Sequence, residues 1–220
     1  MDAEAAVACR SSFFRVARYA AVLSADLRET LWNQPESLLR LGEPLRAKAV
    51  RRTVRFSWDE QGYVLKHYVE PSRPHALKRT VQAARARLTW NVMHKLADGG
   101  IATPRPVACI ENRLGPLRRD SFLLYPYLEG RTLRSCFADE QQDSGQVAES
   151  LWRQLGELWQ RLAQLRASLA DTNVGNFIVC PAGRLWVIDL DKARFHRLAH
   201  SAARQQQRGW KQLLRSAAKC

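Results

Sequence analysis

Asp171-Thr-Asn-Val-Gly-Asn176, followed a few residues later by Trp186-Val-Ile-Asp189-Leu-Asp191, is the stretch that decides how this chain folds. An Asp and an Asn separated by four residues form the spacing by which a phosphoryl-transfer loop places a carboxylate at an accepting hydroxyl and an amide at a metal ion. Asp189 would supply a second oxygen ligand to that metal ion. Because phosphoryl transfer requires little covalent chemistry from the protein, a few oxygen ligands and one lysine account for most of such a site.

The residues between the two motifs predict a β-hairpin. Apolar segments 177–179 and 185–188 flank the turn Pro181-Ala-Gly183, which is the pattern of two short antiparallel strands. Asn176 and Asp189 stand at the two ends of this hairpin, so we expect them to converge.

A candidate phosphate-binding lysine lies upstream, in a second predicted hairpin. The sequence from Arg51 to Tyr68 has the pattern of two strands joined by a turn at Asp59-Glu-Gln-Gly62. Lys66 lies in the second of these strands, where alternation places it on the same face as Val64 and Tyr68. We therefore expect Lys66 to share its face of the sheet with apolar side chains.

The remaining segments complete an order of strands, one helix, strands, a hinge, a helix, the loop, the hairpin and a terminal helix. They are a helix at about 74–96 closed by Asp98-Gly-Gly100, extended segments at 101–110 and 121–128, a hinge at Glu129-Gly130, a helix at 146–165 and a basic helix at 195–219. The apolar positions expected to be buried are Leu77, Val81, Ala84, Leu88 and Val92 in the first helix and Leu198, Trp210, Leu213 and Leu214 in the last. This order predicts a small α+β, two-lobed, protein-kinase-like fold. Its N-terminal lobe, residues 1–128, would be rich in sheet, and its shortened helical C-terminal lobe, residues 129–220, would carry the catalytic loop.

Four residues carry the predicted chemistry. Asp171 would accept or orient the proton of the acceptor hydroxyl, and Lys66 would neutralise phosphate oxygens of a donor nucleotide. Asn176 and Asp189 offer the hard oxygen ligands that Mg²⁺ prefers. If the strand before it continues, Asp191 would project beside Asp189 and bind the metal or orient a basic residue. Each residue alone is better explained as a surface lysine, a capping carboxylate or a turn amide, and only their combination favours the functional interpretation.

The charge of the chain favours an anionic partner. The formal net charge is +14, and acidic residues are absent from 71–97 and again after Asp191. Nucleic acid, anionic lipid or a phosphorylated glycolipid would each match two basic faces, as would a solvated basic surface without a ligand. A protein that only binds nucleic acid is disfavoured, because it would leave the Asp171 and Asp189 motifs unexplained and few aromatic residues interleave the basic runs.

Cysteine and histidine usage excludes several kinds of site. The chain has five cysteines, an odd number without a CxxC pair, so neither a disulfide framework nor a zinc site is predicted and a reducing, cytoplasmic setting fits. The five histidines lack metal-ligand spacing and are interpreted as ordinary polar residues. The N-terminus is interrupted by arginines and matches neither a signal peptide nor a membrane-spanning helix. The first fifty residues are expected to form either part of the first lobe or a separate helix that contacts a membrane.

Several motifs resemble those of a known family. YVLKHY (63–68), GIATPRPVACIENR (100–113), SFLLYPYLEG (121–130), DTNVGNFIV (171–179) and VIDLDKARFHR (187–197) are similar to the lipopolysaccharide core sugar kinases, the Kdo and heptose kinase family, which are small relatives of the protein kinases. The resemblance extends from about residue 50 to the end of the chain. It implies ATP-dependent transfer of phosphate to a sugar hydroxyl of the lipopolysaccharide inner core, at the cytoplasmic face of the inner membrane. It also implies that Lys66 is the nucleotide lysine, Asp171 the base, and Asn176 with Asp189 the Mg²⁺ ligands.

Three departures from the family pattern bear on this activity. Leu169 stands where the loop usually carries a His two residues before the base. The helix after Lys66 has Thr89 near the position of the usual glutamate and has no carboxylate in 71–97. A glycine-rich phosphate loop is missing before Lys66, so basic residues in 45–55 would have to substitute by charge.

Two alternatives therefore stand beside an active lipopolysaccharide kinase. One is a pseudokinase, a catalytically weak binding module that retains a site for nucleotide or anionic glycolipid. The other is a kinase for a small soluble hydroxyl compound, which would use the same catalytic residues with a different acceptor.

Overall fold

The structure is a computed structural model that describes residues 7–48, 51–69, 83–115, 117–139 and 146–220. The chain forms two compact units, Met1–Asn91 with Arg105–Tyr127, and Val92–Pro104 with Leu128–Cys220. In the part of the chain that the structure describes, the first unit is dominated by a large sheet, and the second by helices with two small sheets. The fold is thus α+β, as the order of sequence patterns predicts.

Within the described residues, the sheet of the first unit has seven strands, all paired antiparallel, in the order β1-β2-β6-β7-β5-β4-β3. The strands are β1 (Val7–Ser11), β2 (Arg15–Ala20), β3 (Glu43–Lys48), β4 (Arg51–Trp58), β5 (Gln61–Tyr68), β6 (Ala108–Leu114) and β7 (Leu117–Pro126). The predicted hairpin that carries Lys66 is confirmed as β4 and β5, with Trp58 opposite Gln61. Its turn residues Asp59 and Glu60 have φ values of 48° and 62°, the left-handed pair that matches the twist of a two-residue hairpin.

The N-terminal segment is an integral part of the first unit. Strands β1 and β2 extend the sheet beyond β6, with Arg18 opposite Cys109. Helices α1 (Ala25–Asn33) and α2 (Pro35–Leu41) then bury Leu27, Leu31 and Leu38 in the core formed by the sheet. Burial of each leucine contributes about 1.5–3 kcal/mol, so these residues anchor the segment to the sheet rather than form a separate helix.

Helix α3 (Arg85–Asp98) ends where the sequence predicts, at Asp98 before Gly100, whose φ is 77°. Its start and its buried face differ from the prediction. Ala83 and Ala84 are not helical, and residues 74–82 of the predicted helix lie outside the described residues. The expected burial of Leu88 is wrong, since Leu88 is 50% exposed, and Thr89 and Met93 are buried instead. Ala86, Trp90 and Met93 are buried and recur every three to four residues, so they define the inner face of the helix, and Leu88 lies on the opposite face.

The second unit contains α4 (Leu133–Asp139), α5 (Gln146–Gln164), a 3₁₀ turn (Val174–Asn176) and α6 (Ala199–Ala217). Its strands are β8 (Arg131–Thr132), β9 (Ala167–Ser168), β10 (Phe177–Val179), β11 (Leu185–Val187) and β12 (Arg194–Phe195). The predicted helix at 146–165 is confirmed as α5, and the predicted hairpin at 177–188 as β10 and β11.

The terminal helix α6 begins later than the sequence predicts. Phe195, its predicted first residue, belongs to β12, which pairs with β9. Leu213 is fully buried, whereas Leu198 and Leu214 are 57% and 42% exposed, so the expected burial of those two leucines is wrong. Successive residues of a helix point about 100° apart, and only one of the adjacent pair Leu213 and Leu214 can face the core. Within the described residues, the structure contains no helix long and apolar enough to cross a membrane.

Candidate active site

The loop from Asp171 to Asn176 has a defined local geometry. The loop follows β9 in the chain, and it ends in the 3₁₀ turn that leads directly into β10. Asn173 caps this turn, since its side-chain Oδ1 accepts a hydrogen bond of 2.9 Å from the backbone N–H of Gly175. The backbone N–H of Asn176 donates to the carbonyl of Asn173 at 2.8 Å. These local bonds fix the backbone position from which the side chain of Asn176 extends.

Asn176 is tied to Asp171 across the loop. Its side-chain Nδ2 donates to the backbone carbonyl of Asp171 at 3.1 Å, and the residue is buried. Because the nitrogen end of the amide is used within the loop, the oxygen end points the other way. Asp171 itself is partly exposed, so a molecule in solution can reach it.

The β10–β11 hairpin brings Asp189 to the end of the loop. Phe177 pairs with Val187, and the backbone N–H of Ile188 donates to the carbonyl of Asn176 at 2.9 Å. Asp189 therefore follows the residue that is bonded to Asn176. Its φ is 58°, a left-handed conformation that costs a non-glycine residue about 1–3 kcal/mol and is concentrated at functional sites. Strand β11 ends at Val187, so the continuation that would place Asp191 beside Asp189 does not occur.

Lys66 belongs to the first unit, whereas Asp171, Asn176 and Asp189 belong to the second. It lies in β5 between Thr53 of β4 and Leu123 of β7. The residue is only 5% exposed, and its Nζ lies 5.8 Å from the ring centroid of Tyr125. Val64 and Tyr68, which share its face of the strand, are also buried, as predicted. A lysine this deeply buried is uncommon in proteins.

A network of side-chain hydrogen bonds links β5 to β7 and β6. His67 Nε2 lies 2.8 Å from Asp120 Oδ2, and the side chain of Asn112 donates to Asp120 Oδ1 at 3.0 Å. Burial raises the pKa of the Asp120 carboxyl, but the hydrogen bonds from His67 and Asn112, together with the interaction with the His67 charge and a backbone hydrogen bond, bring the pKa below its usual value. The His67 ring also stacks on Phe122 with centroids 4.3 Å apart. These contacts hold β5 in register on the side opposite to Lys66.

Helix α6 supports the backbone of the loop. Gln206 Nε2 donates to the carbonyl of Ala167 at 2.6 Å, and the hydroxyl of Thr172 donates to the carbonyl of Gly209 at 2.6 Å. Further along, the backbone N–H of Val174 donates to Ser216 Oγ at 3.3 Å. Helix α6 thus contacts the chain on both sides of Asp171.

Gly209 allows this close approach. A Cβ at this position would lie 3.2 Å from the carbonyl oxygen of Leu169 and 3.3 Å from Cγ2 of Thr172. Leu169, which stands where a His is expected, is itself buried. The loop is therefore supported by apolar packing of Leu169 and by α6. Sequence reasoning missed Thr172, Gln206 and Ser216, but an isolated glycine inside a helical pattern was a signal of close packing.

His196 contacts the strand that precedes this loop. Its Nε2 lies 2.7 Å from the hydroxyl of Ser168, and its backbone N–H donates to the carbonyl of Arg166 at 2.8 Å. It thereby joins β12 to β9. Among the described residues, no group of three or more His, Cys, Asp or Glu side chains could hold a metal ion.

Comparison with known proteins identifies the family of this chain. The family model described as "Lipopolysaccharide kinase (Kdo/WaaP) family" matches residues 36–220. The chain is 31% identical over 133 residues to 3-deoxy-D-manno-octulosonic acid kinase of Xylella fastidiosa (strain M12), which covers 60% of this chain and 49% of that protein. It is 28% identical over 103 residues to lipopolysaccharide core heptose(I) kinase WaaP of Escherichia coli (strain K12), covering 43% and 39% of the two chains. In these alignments the chain spans about half the length, or less, of the curated relatives it matches. The chain belongs to the lipopolysaccharide kinase (Kdo/WaaP) family.

Proposed function

We propose that this protein is an ATP-dependent phosphotransferase that phosphorylates a sugar hydroxyl of the lipopolysaccharide inner core. The observation that carries the proposal is the arrangement of Asp171, Asn176 and Asp189 around one end of the β10–β11 hairpin, in a chain of this family. Asp171 is partly exposed and would accept or orient the proton of the sugar hydroxyl. Relatives named as kinases of 3-deoxy-D-manno-octulosonic acid and of core heptose support a sugar as the acceptor.

Asn176 and Asp189 would hold Mg²⁺. The side-chain nitrogen of Asn176 is used in the bond to the carbonyl of Asp171, so its oxygen is the end suited to a hard cation. Asp189 adds a carboxylate from a left-handed position next to the residue bonded to Asn176. When bound, the ion would neutralise charge on the phosphates of the nucleotide.

Lys66 would bind the phosphates of ATP. An ammonium group in a buried strand interacts with phosphate more strongly than an exposed one, because water screens it less. The backbone of Lys66 is paired with two neighbouring strands, so little backbone freedom would be lost when the nucleotide binds.

The acceptor would be anionic and anchored in lipid. A net charge of +14 favours such a partner. We propose accordingly that the protein works at the cytoplasmic side of the inner membrane as a peripheral protein.

Transfer of phosphate from radiolabelled ATP to purified core glycolipid, with Mg²⁺, tests the function. Asp171→Ala is expected to reduce kcat by about 10²–10⁴-fold, the range for loss of a general base. Asp139→Ala, which removes an exposed carboxylate paired with Arg131, is the matched control and is expected to retain activity.

Two outcomes would overturn the proposal in different directions. Nucleotide binding without transfer to any acceptor would identify a pseudokinase. Faster transfer to soluble hydroxyl compounds than to the glycolipid would identify a kinase for small metabolites.

A further inference from the structure

Helix α6 has two faces of different chemistry. Ala202, Gly209 and Leu213 are buried on the inner face. The outer face carries Arg204, Arg208, Lys211 and Arg215, all exposed, and we call these four residues the basic stripe. Their spacing of four, three and four residues places them within an arc of about 60° and along about 16 Å of the helix axis.

The basic stripe is not neutralised by its own helix. The sequence from Lys192 to Cys220 contains no Asp or Glu, and none of the ion pairs found among the described residues includes a member of the stripe. Like charges one turn apart on a helix repel each other and weaken it. An anionic partner outside the protein would remove this repulsion.

The surroundings of the basic stripe favour a lipid surface over nucleic acid. Leu214 lies beside the stripe and Leu198 at the start of the helix, and both are more than 40% exposed. Exposed leucines next to basic residues are typical of helices that lie in the headgroup region of an anionic bilayer. Trp210 packs against Trp159, with ring centroids 4.9 Å apart. It therefore does not offer a stacking surface for bases on the outer face of the helix.

The inner face of the same helix contacts the loop that contains Asp171. Gln206, Gly209 and Ser216 make the bonds to Ala167, Thr172 and Val174 described above. A surface that binds α6 from outside would therefore bind the element that supports the loop. The geometry points to the outer face of α6 as a docking surface for an anionic lipid bilayer. This inference rests on the proposed function in naming the bilayer as the surface where the acceptor lies.

Flotation of the full chain with vesicles tests the docking surface. Wild-type protein is expected to float with phosphatidylglycerol vesicles but not with phosphatidylcholine vesicles, and less so as salt is raised. The variant R204Q/R208Q/K211Q/R215Q is expected to lose at least about tenfold in apparent affinity, since each basic residue near an anionic surface contributes measurably. The single variant Lys211→Gln is expected to show a smaller loss, and far-UV circular dichroism verifies that both variants are folded.

The matched control removes the same charge elsewhere. R40Q/R119Q/R153Q/R184Q changes four exposed arginines outside α6 and is expected to float like the wild type. The inference is overturned if the stripe variant floats as well as the wild type, if the control loses as much binding, or if the wild type floats equally with neutral vesicles. Tighter binding of single-stranded DNA than of phosphatidylglycerol vesicles at equal salt would overturn it in favour of nucleic acid.

A separate assay distinguishes this inference from the proposed function. Wild-type transfer of phosphate to a detergent-dispersed core glycolipid requires no bilayer. Transfer in detergent without vesicle binding would overturn the docking surface alone. Vesicle binding without transfer would overturn the proposed function and leave the docking surface in place.

Discussion

The two candidate functional regions are held in different ways. Lys66 lies within a strand, where β4 and β7 fix its position by backbone pairing on both sides. Asp171 lies in a loop between short strands, and helix α6, about forty residues further along the chain, supports that loop from outside. A residue within a sheet depends on hydrogen bonds that any side chain permits. A residue in such a loop depends on a few specific side chains elsewhere in the sequence.

Replacement of Lys66 by Met tests the strand side of this comparison and has the largest expected effect among the three substitutions that test it. Met retains the length and the apolar stem of the side chain, so the packing within the sheet is expected to be preserved. Phosphotransfer is expected to fall about 10²–10³-fold, in the range observed when one preorganised charge-stabilising group is removed. Steady-state kinetics with ATP as the varied substrate measures it.

Lys95→Met is the matched control for that experiment. Lys95 is exposed, and its Nζ lies 5.1 Å from the ring centroid of Phe195. Its replacement is therefore expected to leave the kinetic constants for ATP within about twofold of the wild type. A Lys66→Met protein with wild-type activity would show that the buried lysine is structural.

Gly209→Val tests the support of the loop by α6. The new side chain would meet the carbonyl of Leu169 and the side chain of Thr172, which is expected to cost about 1–3 kcal/mol of stability by overpacking. We expect kcat to fall about tenfold or more while the KM for ATP changes little, because the loop moves and Lys66 does not. Chemical denaturation and steady-state kinetics measure the two effects.

Gly156→Ala is the control for a glycine in a helix. A Cβ at Gly156, in the middle of α5, meets no atom within 4 Å, so Ala is expected to stabilise the protein by about 0.4–1 kcal/mol. If Gly209→Val and Gly156→Ala behaved alike, the close approach of α6 to the loop would be irrelevant to activity.

Asp120→Asn tests the network beside β5 and has the smallest expected effect. The folded-state pKa of Asp120 is lowered, so its ionised form stabilises the protein above the pKa of the unfolded chain, about 3.9, and this contribution is lost as pH falls through the folded-state pKa. The Asn substitution is expected to lower the free energy of unfolding by about 1 kcal/mol at neutral pH. In acid, the difference in unfolding free energy between the two proteins is expected to become smaller. Urea unfolding across pH, with exposed Asp139→Asn as control, measures the difference. A constant difference at all pH values would mean that ionisation of Asp120 does not stabilise the fold.

Much of the fold was predictable because it is local. The β4–β5 and β10–β11 hairpins and helix α5 follow from apolar periodicity and turn residues that lie within a few positions of one another. The N-terminal strands were not predictable from local patterns, because their partner is far away in the sequence. Strand β2 pairs with β6, with Arg18 opposite Cys109. The exposure of Leu88 and Leu214 was missed for a similar reason, because the buried face of a helix depends on where the helix begins and on what covers it.

For the candidate site, the sequence by itself determined the spacing of Asp171 and Asn176 and the hairpin that returns Asp189 to Asn176. These relations need only short-range backbone geometry. Tertiary structure alone decided how the loop is supported: Thr172 and Gln206 bond to backbone carbonyls of Gly209 and Ala167. Every residue presents a carbonyl, so no residue type in the sequence marks such a partner, and only the packing of α6 against the loop selects it.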